Sequence, residues 1–249
     1  MMDLQYAKKQ FECYLNHYDR DDDKIRLKIV HTYGVVECSR QITQRMGLPE
    51  EDRQLAQLIG LLHDIGRFEQ LKRYNSFEPN TMDHASFGVQ ILFEEGMIRQ
   101  FVQDNTWDSI IRTAIAKHSD YKLEGIEDSR ELMHARIIRD ADKLDNCRVK
   151  LEDPIETMLG VSAEEVGKTK ISPEVMEQVY RKESILSQTR KTKMDYWVSY
   201  LAYFFDINYE ATFQIIREQH YVDRLINRIP YSNPETVAKM EEVRSIIHF

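Results

Sequence analysis

The chain has 249 residues, of which 42% are hydrophobic and 31% are charged, a balance typical of a globular protein and not of a disordered one. Its formal net charge of −8 argues against a protein that coats long nucleic acids through its overall field. Three cysteines without a Cys-X-X-Cys pair indicate a reducing, cytoplasmic location. Because no apolar run approaches the length of a bilayer, we expect no membrane partner.

The first half of the chain shows helical periodicity. Apolar residues recur every three or four positions from residue 23 until Gly47 and Pro49, which predicts the first long helix. Further helices are predicted over residues 51–62, 83–95, 105–118 and 129–147. Thr81 is the expected N-cap of the helix over 83–95, and Asn105 or Thr106 that of the next. The polar segments 66–80 and 119–128 are predicted to be irregular connections.

The second half begins with a segment rich in proline, glycine and charge, residues 152–173, which we interpret as a long loop or flap. Four more helices are predicted over residues 174–183, 189–205, 209–228 and 234–247. The predicted class is all-α: a single globular helical bundle in which residues 1–151 form the core and residues 152–249 pack on it.

Six ligand-type residues occupy helix positions where hydrocarbon is expected: His31, His63, Asp64, His84, His118 and Asp142. Burying an unpartnered imidazole or carboxylate costs several kcal/mol, so each needs a partner. Any one of them, taken alone, reads as a hydrogen-bonded core residue or a helix-surface ion pair. The buried polar side chains of five helices would then need five separate sets of partners, whereas one metal centre would satisfy them all. Imidazole and carboxylate are common ligands of divalent ions. The pattern therefore predicts a metal site.

The order of these residues resembles the signature of the HD superfamily of metal-dependent phosphohydrolases. His31, the pair His63-Asp64 and Asp142 follow its order H…HD…D, and His84 and His118 are similar to the two further histidines of its dinuclear branches. The resemblance covers roughly residues 25–148, and nothing after Leu151 matches a known motif.

The resemblance implies a role for each ligand. His31, His63 and Asp142 would hold a first divalent ion, His84 and His118 a second, and Asp64 would bridge the two. Mn, Fe, Ni, Mg and Zn all suit such nitrogen and oxygen ligands. Two such ions share a hydroxide that attacks a phosphoryl group, with Asp64 and Asp142 as the catalytic carboxylates. Gly88 is expected to let its helix come close enough for His84 to reach the ions.

One position departs from the family pattern. Many single-metal relatives carry a glutamate three residues after the HD aspartate, where this chain has Arg67. A guanidinium cannot release a proton at neutral pH but binds phosphate through a bidentate fork. We therefore expect Arg67 to bind the substrate phosphate, and Lys143 to reach it from the pocket rim. A solvated loop residue and a helix-surface ion pair are the respective alternatives. The proton donor is left open, with Asp142 and bound water as the candidates.

The resulting hypothesis is an enzyme that hydrolyses a phosphoester or phosphoanhydride bond of a small nucleotide-like substrate. Two other functions remain open at this point. The same residue order resembles that of related di-iron oxygenases, and the pocket is also compatible with a non-catalytic module that senses a nucleotide. Homodimer formation is left open as well.

Overall fold

The computed structural model describes residues 3–78 and 80–247. The predicted all-α class is confirmed, since these residues form helices and connections but no strand. None of their helices has the length and apolar character that crossing a bilayer requires. The chain divides into two compact units, Met1–Asp145 and Asn146–Phe249. This boundary falls inside one long helix, whereas the sequence analysis divided the chain between residues 151 and 152.

The first unit contains six complete helices and the first part of a seventh. They are α1 (Leu4–Leu15), α2 (Asp23–Arg45), α3 (Glu50–Leu62), α4 (Ile65–Tyr74), α5 (His84–Val89), α6 (Asp108–Lys117) and α7 (Ser129–Glu152). One π-helical turn, Gln90–Glu94, continues α5, and a 3-10 turn spans Met97–Gln100.

Helix α3 forms the centre of this unit and packs along α2. The apolar stripe expected on it is confirmed, because Leu55, Leu58, Ile59 and Leu62 are all fully buried. Full burial of each such side chain contributes roughly 1.5–3 kcal/mol relative to exposure. The contact fixes the C-terminal end of α3, where the chain turns into α4.

Two helices of this unit were not anticipated. Helix α1 buries Phe11, whose ring lies 5.9 Å from that of Phe68 in an edge-to-face arrangement. Helix α4, which carries Phe68, occupies most of the segment predicted to be irregular and ends at Asn75 in the left-handed region. Position 79 of that segment lies outside the described residues.

The predicted N-caps were wrong. The carboxylate of Asp83, and not Thr81, accepts hydrogen bonds from the amides of Ala85 and Ser86 at the start of α5. Helix α6 begins after Trp107 with no side-chain cap, so neither of the proposed residues before it fills that role.

The second unit contains the end of α7 and seven shorter helices. They are α8 (Ile155–Leu159), α9 (Ala163–Lys168), α10 (Pro173–Tyr180), α11 (Lys193–Leu201), α12 (Glu210–Glu218), α13 (Tyr221–Ile226) and α14 (Pro234–Ile246). Two 3-10 turns span Ser187–Thr189 and Ala202–Asp206. The predicted flap is therefore partly helical. The helix predicted over 209–228 is split at His220, whose φ of 51° interrupts it.

Candidate metal centre

The six predicted ligand residues converge in the first unit, mostly at helix ends. His63 and Asp64 are the two residues between α3 and α4, His84 is the first residue of α5, and His118 directly follows α6. His31 and Asp142 project from within the long helices α2 and α7. The convergence was expected, but three of the five segments present their ligand at a terminus and not along an apolar stripe.

The cluster is buried, and one of its six residues is more exposed than the others. The side chain of Asp142 is 25% exposed, whereas those of the other five residues are at most 9% exposed. Access from solvent is therefore greatest at Asp142.

The first donor group consists of His31, His63 and Asp142. The Oδ1 atom of Asp142 lies 3.0 Å from Nε2 of His31 and 3.9 Å from Nε2 of His63. Ligands bound to one ion at about 2.1 Å are separated by roughly 3.0–3.4 Å, depending on the coordination angle. The His31–Asp142 distance fits this range and the His63–Asp142 distance is longer, so the three side chains could hold one divalent ion once His63 and Asp142 move slightly closer together.

The second donor group consists of His63, Asp64 and His118, with His84 against it. The Nε2 atom of His84 lies 3.0 Å from Nε2 of His118 and 3.3 Å from Oδ1 of Asp64. The distance between Nε2 of His118 and Oδ1 of Asp64 is 3.7 Å. Two unprotonated imidazole nitrogens this close repel each other, and a shared cation would relieve the repulsion.

The two oxygens of Asp64 face different histidines. Its Oδ2 atom lies 3.5 Å from Nε2 of His63 and 4.0 Å from Nε2 of His31, on the side of the first group. Its Oδ1 atom faces His84 and His118 at 3.3 Å and 3.7 Å, on the side of the second. One carboxylate thus separates two sets of imidazoles and offers one oxygen to each.

Three of the rings are fixed by contacts at their other nitrogen. The Nδ1 atom of His63 bonds the carbonyl of Gly60 at 2.8 Å, and that of His118 bonds the carbonyl of Ile115 at 2.7 Å. Because a carbonyl only accepts, both Nδ1 atoms carry the proton, and each Nε2 of the neutral ring keeps its lone pair. In the same way, Nδ1 of His31 bonds Asp145 at 2.7 Å. Such contacts orient metal-ligating histidines.

One buried ligand atom of the cluster, Nε2 of His63, has no hydrogen-bond partner. An unpaired buried polar atom is costly, and this one lies 3.5 Å from the Asp64 carboxylate and 3.9 Å from that of Asp142. A divalent ion would satisfy it. The residues present therefore fit the metal that the sequence pattern predicts.

The protonation equilibria of four cluster residues favour ligand binding. His31 differs: burial lowers its pKa, but the hydrogen bonds to Asp142 and Asp145 outweigh burial and raise the pKa above its usual value. Burial is the largest cause lowering the pKa of His63 to about 4, and burial together with the Arg67 guanidinium holds the pKa of His84 well below its usual range. Burial opposes ionisation of Asp64, but Lys28 and the histidines outweigh it and keep its pKa low. The pKa of Asp142 is also lowered: burial raises it, but the hydrogen bond to His31 and the neighbouring imidazoles outweigh that effect. Neutral imidazoles and ionised carboxylates are the forms that bind metals.

Two cations lie against Asp64, one on each oxygen. The Nζ atom of Lys28 bonds Oδ2 at 2.6 Å, and Nε of Arg67 lies 3.7 Å from Oδ1. Arg67 is thus part of the site and not a solvated loop residue. Lys28 was missed by the sequence analysis, although it precedes His31 by three positions and so shares its helix face.

Lys143 is placed differently from the expectation. It follows Asp142 on α7, but only 8% of the residue is exposed, and its Nζ lies 3.5 Å from the carbonyl of Arg139. This position is buried and not at a pocket rim. Its contact with substrate stays a prediction.

Close helix contacts depend on two glycines that the sequence analysis did not single out. A Cβ at Gly66 would collide with the carbonyl oxygen of His84, and one at Gly34 would collide with the carboxylate of Asp145. A Cβ at Gly88, by contrast, would meet its nearest neighbour at an ordinary 3.4 Å. The close approach expected at Gly88 is therefore located at Gly66.

The comparison with known families agrees with this geometry. Residues 29–147 match the family model described as the HD domain, a range that includes all six clustered residues and Arg67. No curated protein and no solved structure matches the chain significantly. The match and the helical fold together identify residues 29–147 as an HD domain, the domain of a superfamily of metal-dependent phosphohydrolases.

Proposed function

We propose that the protein is a metal-dependent phosphohydrolase that cleaves a phosphoester or phosphoanhydride bond of a small nucleotide-like substrate. One observation carries the proposal: the two oxygens of Asp64 separate two groups of imidazoles, and Nε2 of His63, between them, is buried without a hydrogen-bond partner. This arrangement suits two divalent ions bridged by one carboxylate. His31, His63 and Asp142 would hold one ion, His84 and His118 the other, and Asp64 both.

Two ions at this position would acidify a water molecule and neutralise charge on a phosphoryl oxygen. The protein's own residues prepare the other parts of the reaction. Asp142, the most exposed ligand, has a lowered pKa and therefore stays ionised, which suits a metal ligand and not a proton donor. The helix contacts around the cluster keep the rings in fixed orientations, so that little reorganisation accompanies the reaction.

Cations at the edge of the cluster support an anionic substrate. Lys28 and Arg67 lie on opposite oxygens of Asp64, and Lys28 also sits 5.9 Å from the centre of the Phe77 ring. An ammonium and a guanidinium on opposite sides of one carboxylate suit the oxygens of a phosphoryl group. An acidic chain with so few clustered cations is better suited to a small phosphorylated molecule than to long nucleic acids.

The test is metal-dependent phosphate release. Chelator-treated protein would be supplied with Mn, Fe, Ni, Mg or Zn and assayed on a panel of nucleotides and nucleotide-like phosphoesters. The expected result is hydrolysis that needs the metal and is abolished in the D64N variant. The matched control is D120N, because Asp120 is a more exposed carboxylate two residues after His118. Protein that stays inert with every metal contradicts the proposal. An iron signal sensitive to dioxygen, without phosphate release, would instead identify an oxygenase.

A further inference from the structure

Arg67 joins the metal centre to the loop that follows α4. Its Nη2 atom lies 2.8 Å from Nε2 of His84, and its Nη1 atom donates to Oε1 of Gln70 at 2.5 Å and to the carbonyl of Phe77 at 3.3 Å. Its side chain is only 14% exposed. The guanidinium therefore lies inside the site and spans a ligand nitrogen and a loop carbonyl.

The bond to His84 uses the atom that an ion would need. A guanidinium has only donors, so Nε2 of His84 accepts with its single lone pair. The same lone pair would bind a metal, because imidazole binds ions through an unprotonated nitrogen. Arg67 and a divalent ion therefore exclude one another at this nitrogen.

The loop holds the other nitrogen of the Arg67 guanidinium, Nη1. Gln70 is fully buried and donates to the carbonyl of Glu78 at 2.9 Å and to Oγ1 of Thr81 at 2.7 Å. Gln70 and Phe77 thus hold one side of the guanidinium independently of His84. When Nη2 leaves His84, it becomes a free donor at the edge of the cluster, where a phosphoryl oxygen is the fitting acceptor.

We propose that Arg67 competes with the second divalent ion for Nε2 of His84, and that a phosphate group promotes binding of this ion by withdrawing the guanidinium. The inference rests on the proposed function, since it assigns the second ion to His84 and His118. Phosphate and the second ion then strengthen each other's binding, because coupling between two ligands is reciprocal. The second ion would therefore bind most tightly when a phosphorylated substrate is present.

The test is a calorimetric titration with Mn²⁺ alone, using chelator-treated wild-type protein, Arg67→Gln and Arg73→Gln. Arg73 is the matched control, since it is an exposed arginine on the same helix that bonds Glu69 and not the cluster. A hydrogen bond to a charged group contributes about 1.5–3 kcal/mol, so Arg67→Gln should raise the second-ion affinity roughly 10- to 100-fold. Arg73→Gln should leave it unchanged.

Inorganic phosphate provides the second arm of the test. It should raise the second-ion affinity of the wild-type protein and do so less in Arg67→Gln. A thermal unfolding scan checks that each variant is folded. If Arg67→Gln is unstable, Arg67→Lys replaces it: a single ammonium cannot span His84 and the loop carbonyl, so an intermediate gain is expected.

The outcomes separate the two proposals. A folded variant that binds two ions with wild-type affinities overturns the competition and leaves the proposed function standing. If neither the wild-type protein nor any variant binds Mn²⁺, the metal-centre assignment itself fails.

Discussion

Asp64 in the first unit and Asp195 in the second are both buried, and their surroundings differ. Asp195 in the second unit accepts four hydrogen bonds, from the amides of Ser172, Lys191 and Thr192 and from the hydroxyl of Ser172. Asp64 in the first unit is surrounded by the ring nitrogens of four histidines and by two cations.

This is the difference expected between a structural carboxylate and one that binds metal. The hydrogen-bond donors around Asp195 all belong to the protein and satisfy its carboxylate without a ligand, as is normal for buried polar groups. Around Asp64 the imidazoles retain lone pairs, and one of them, on His63, has no hydrogen-bond partner. Burial alone therefore does not distinguish the two aspartates; the imidazole nitrogens that face Asp64 do.

The largest expected effect comes from Asp64→Asn. The amide keeps the shape of the side chain but removes the charge that would bridge two ions. Since the ions are expected to supply several kcal/mol of transition-state stabilisation, phosphate release should fall by about 10³-fold or more. Steady-state kinetics with saturating Mn²⁺ measure this. Retention of a tenth of the wild-type rate would contradict the bridging role.

The counterpart variant, Asp195→Asn, should act on stability. Its amide group would face amides that need an acceptor, which lowers the free energy of unfolding by about 3 kcal/mol. Urea denaturation measures this loss, while Mn²⁺ titration of the folded variant should give the wild-type affinity. A large loss of metal affinity without a loss of stability would reverse the assignments of the two aspartates.

A smaller effect is expected from the support of His31. Asp145→Asn weakens the hydrogen bond that orients the His31 ring, and the loss of a contact of this kind typically lowers metal affinity 10- to 100-fold. Gly34→Ala should act in the same direction, because the added methyl group displaces the Asp145 carboxylate. Mn²⁺ titration of both variants is the measurement, and unchanged affinity in both would show that this contact is dispensable.

The smallest effect concerns pH and lies away from the cluster. His134 is buried and bonds Asp52 at 2.9 Å, but burial, the largest cause, still lowers its pKa below 6.5. The unfolded chain therefore binds the proton more readily, so this histidine reduces the free energy of unfolding as pH falls below 6.5.

His134→Gln removes that dependence. Between pH 7.5 and 5.5, metal-free wild-type protein should lose more stability than the variant, by no more than about 1.4 kcal/mol, the limit set by the proton uptake of one unfolded histidine. Urea denaturation at both pH values gives the difference. His63 and His84 also have lowered pKa values, but they titrate in both proteins and cancel. Equal losses would contradict the assignment to His134.

Much of the fold and the ligand set could be predicted because the signals are local. Helical periodicity marked α2, α3 and α7, and the order of His31, His63-Asp64 and Asp142 along the chain carried the family resemblance. Ligand residues can be recognised from their type and from their position on an expected buried face.

The rest depends on contacts between distant segments. Helix α4 was missed because its buried face includes Gly66 and Gln70, which interrupt the apolar period. Helices α8 and α9 have only 5 and 6 residues, too few to show a period. The contact between Arg67 and His84 depends on how α4 packs against α5, and no spacing in the sequence encodes it.

Anomalous diffraction from crystals grown with Mn²⁺ would show directly whether two ions bind at Asp64. Two peaks are expected about 3.5–4 Å apart, on either side of the Asp64 carboxylate. One peak should contact His31 and His63, and the other His84 and His118. The absence of any peak at Asp64, or rings of His84 and His118 that point away from it, would contradict a two-ion centre.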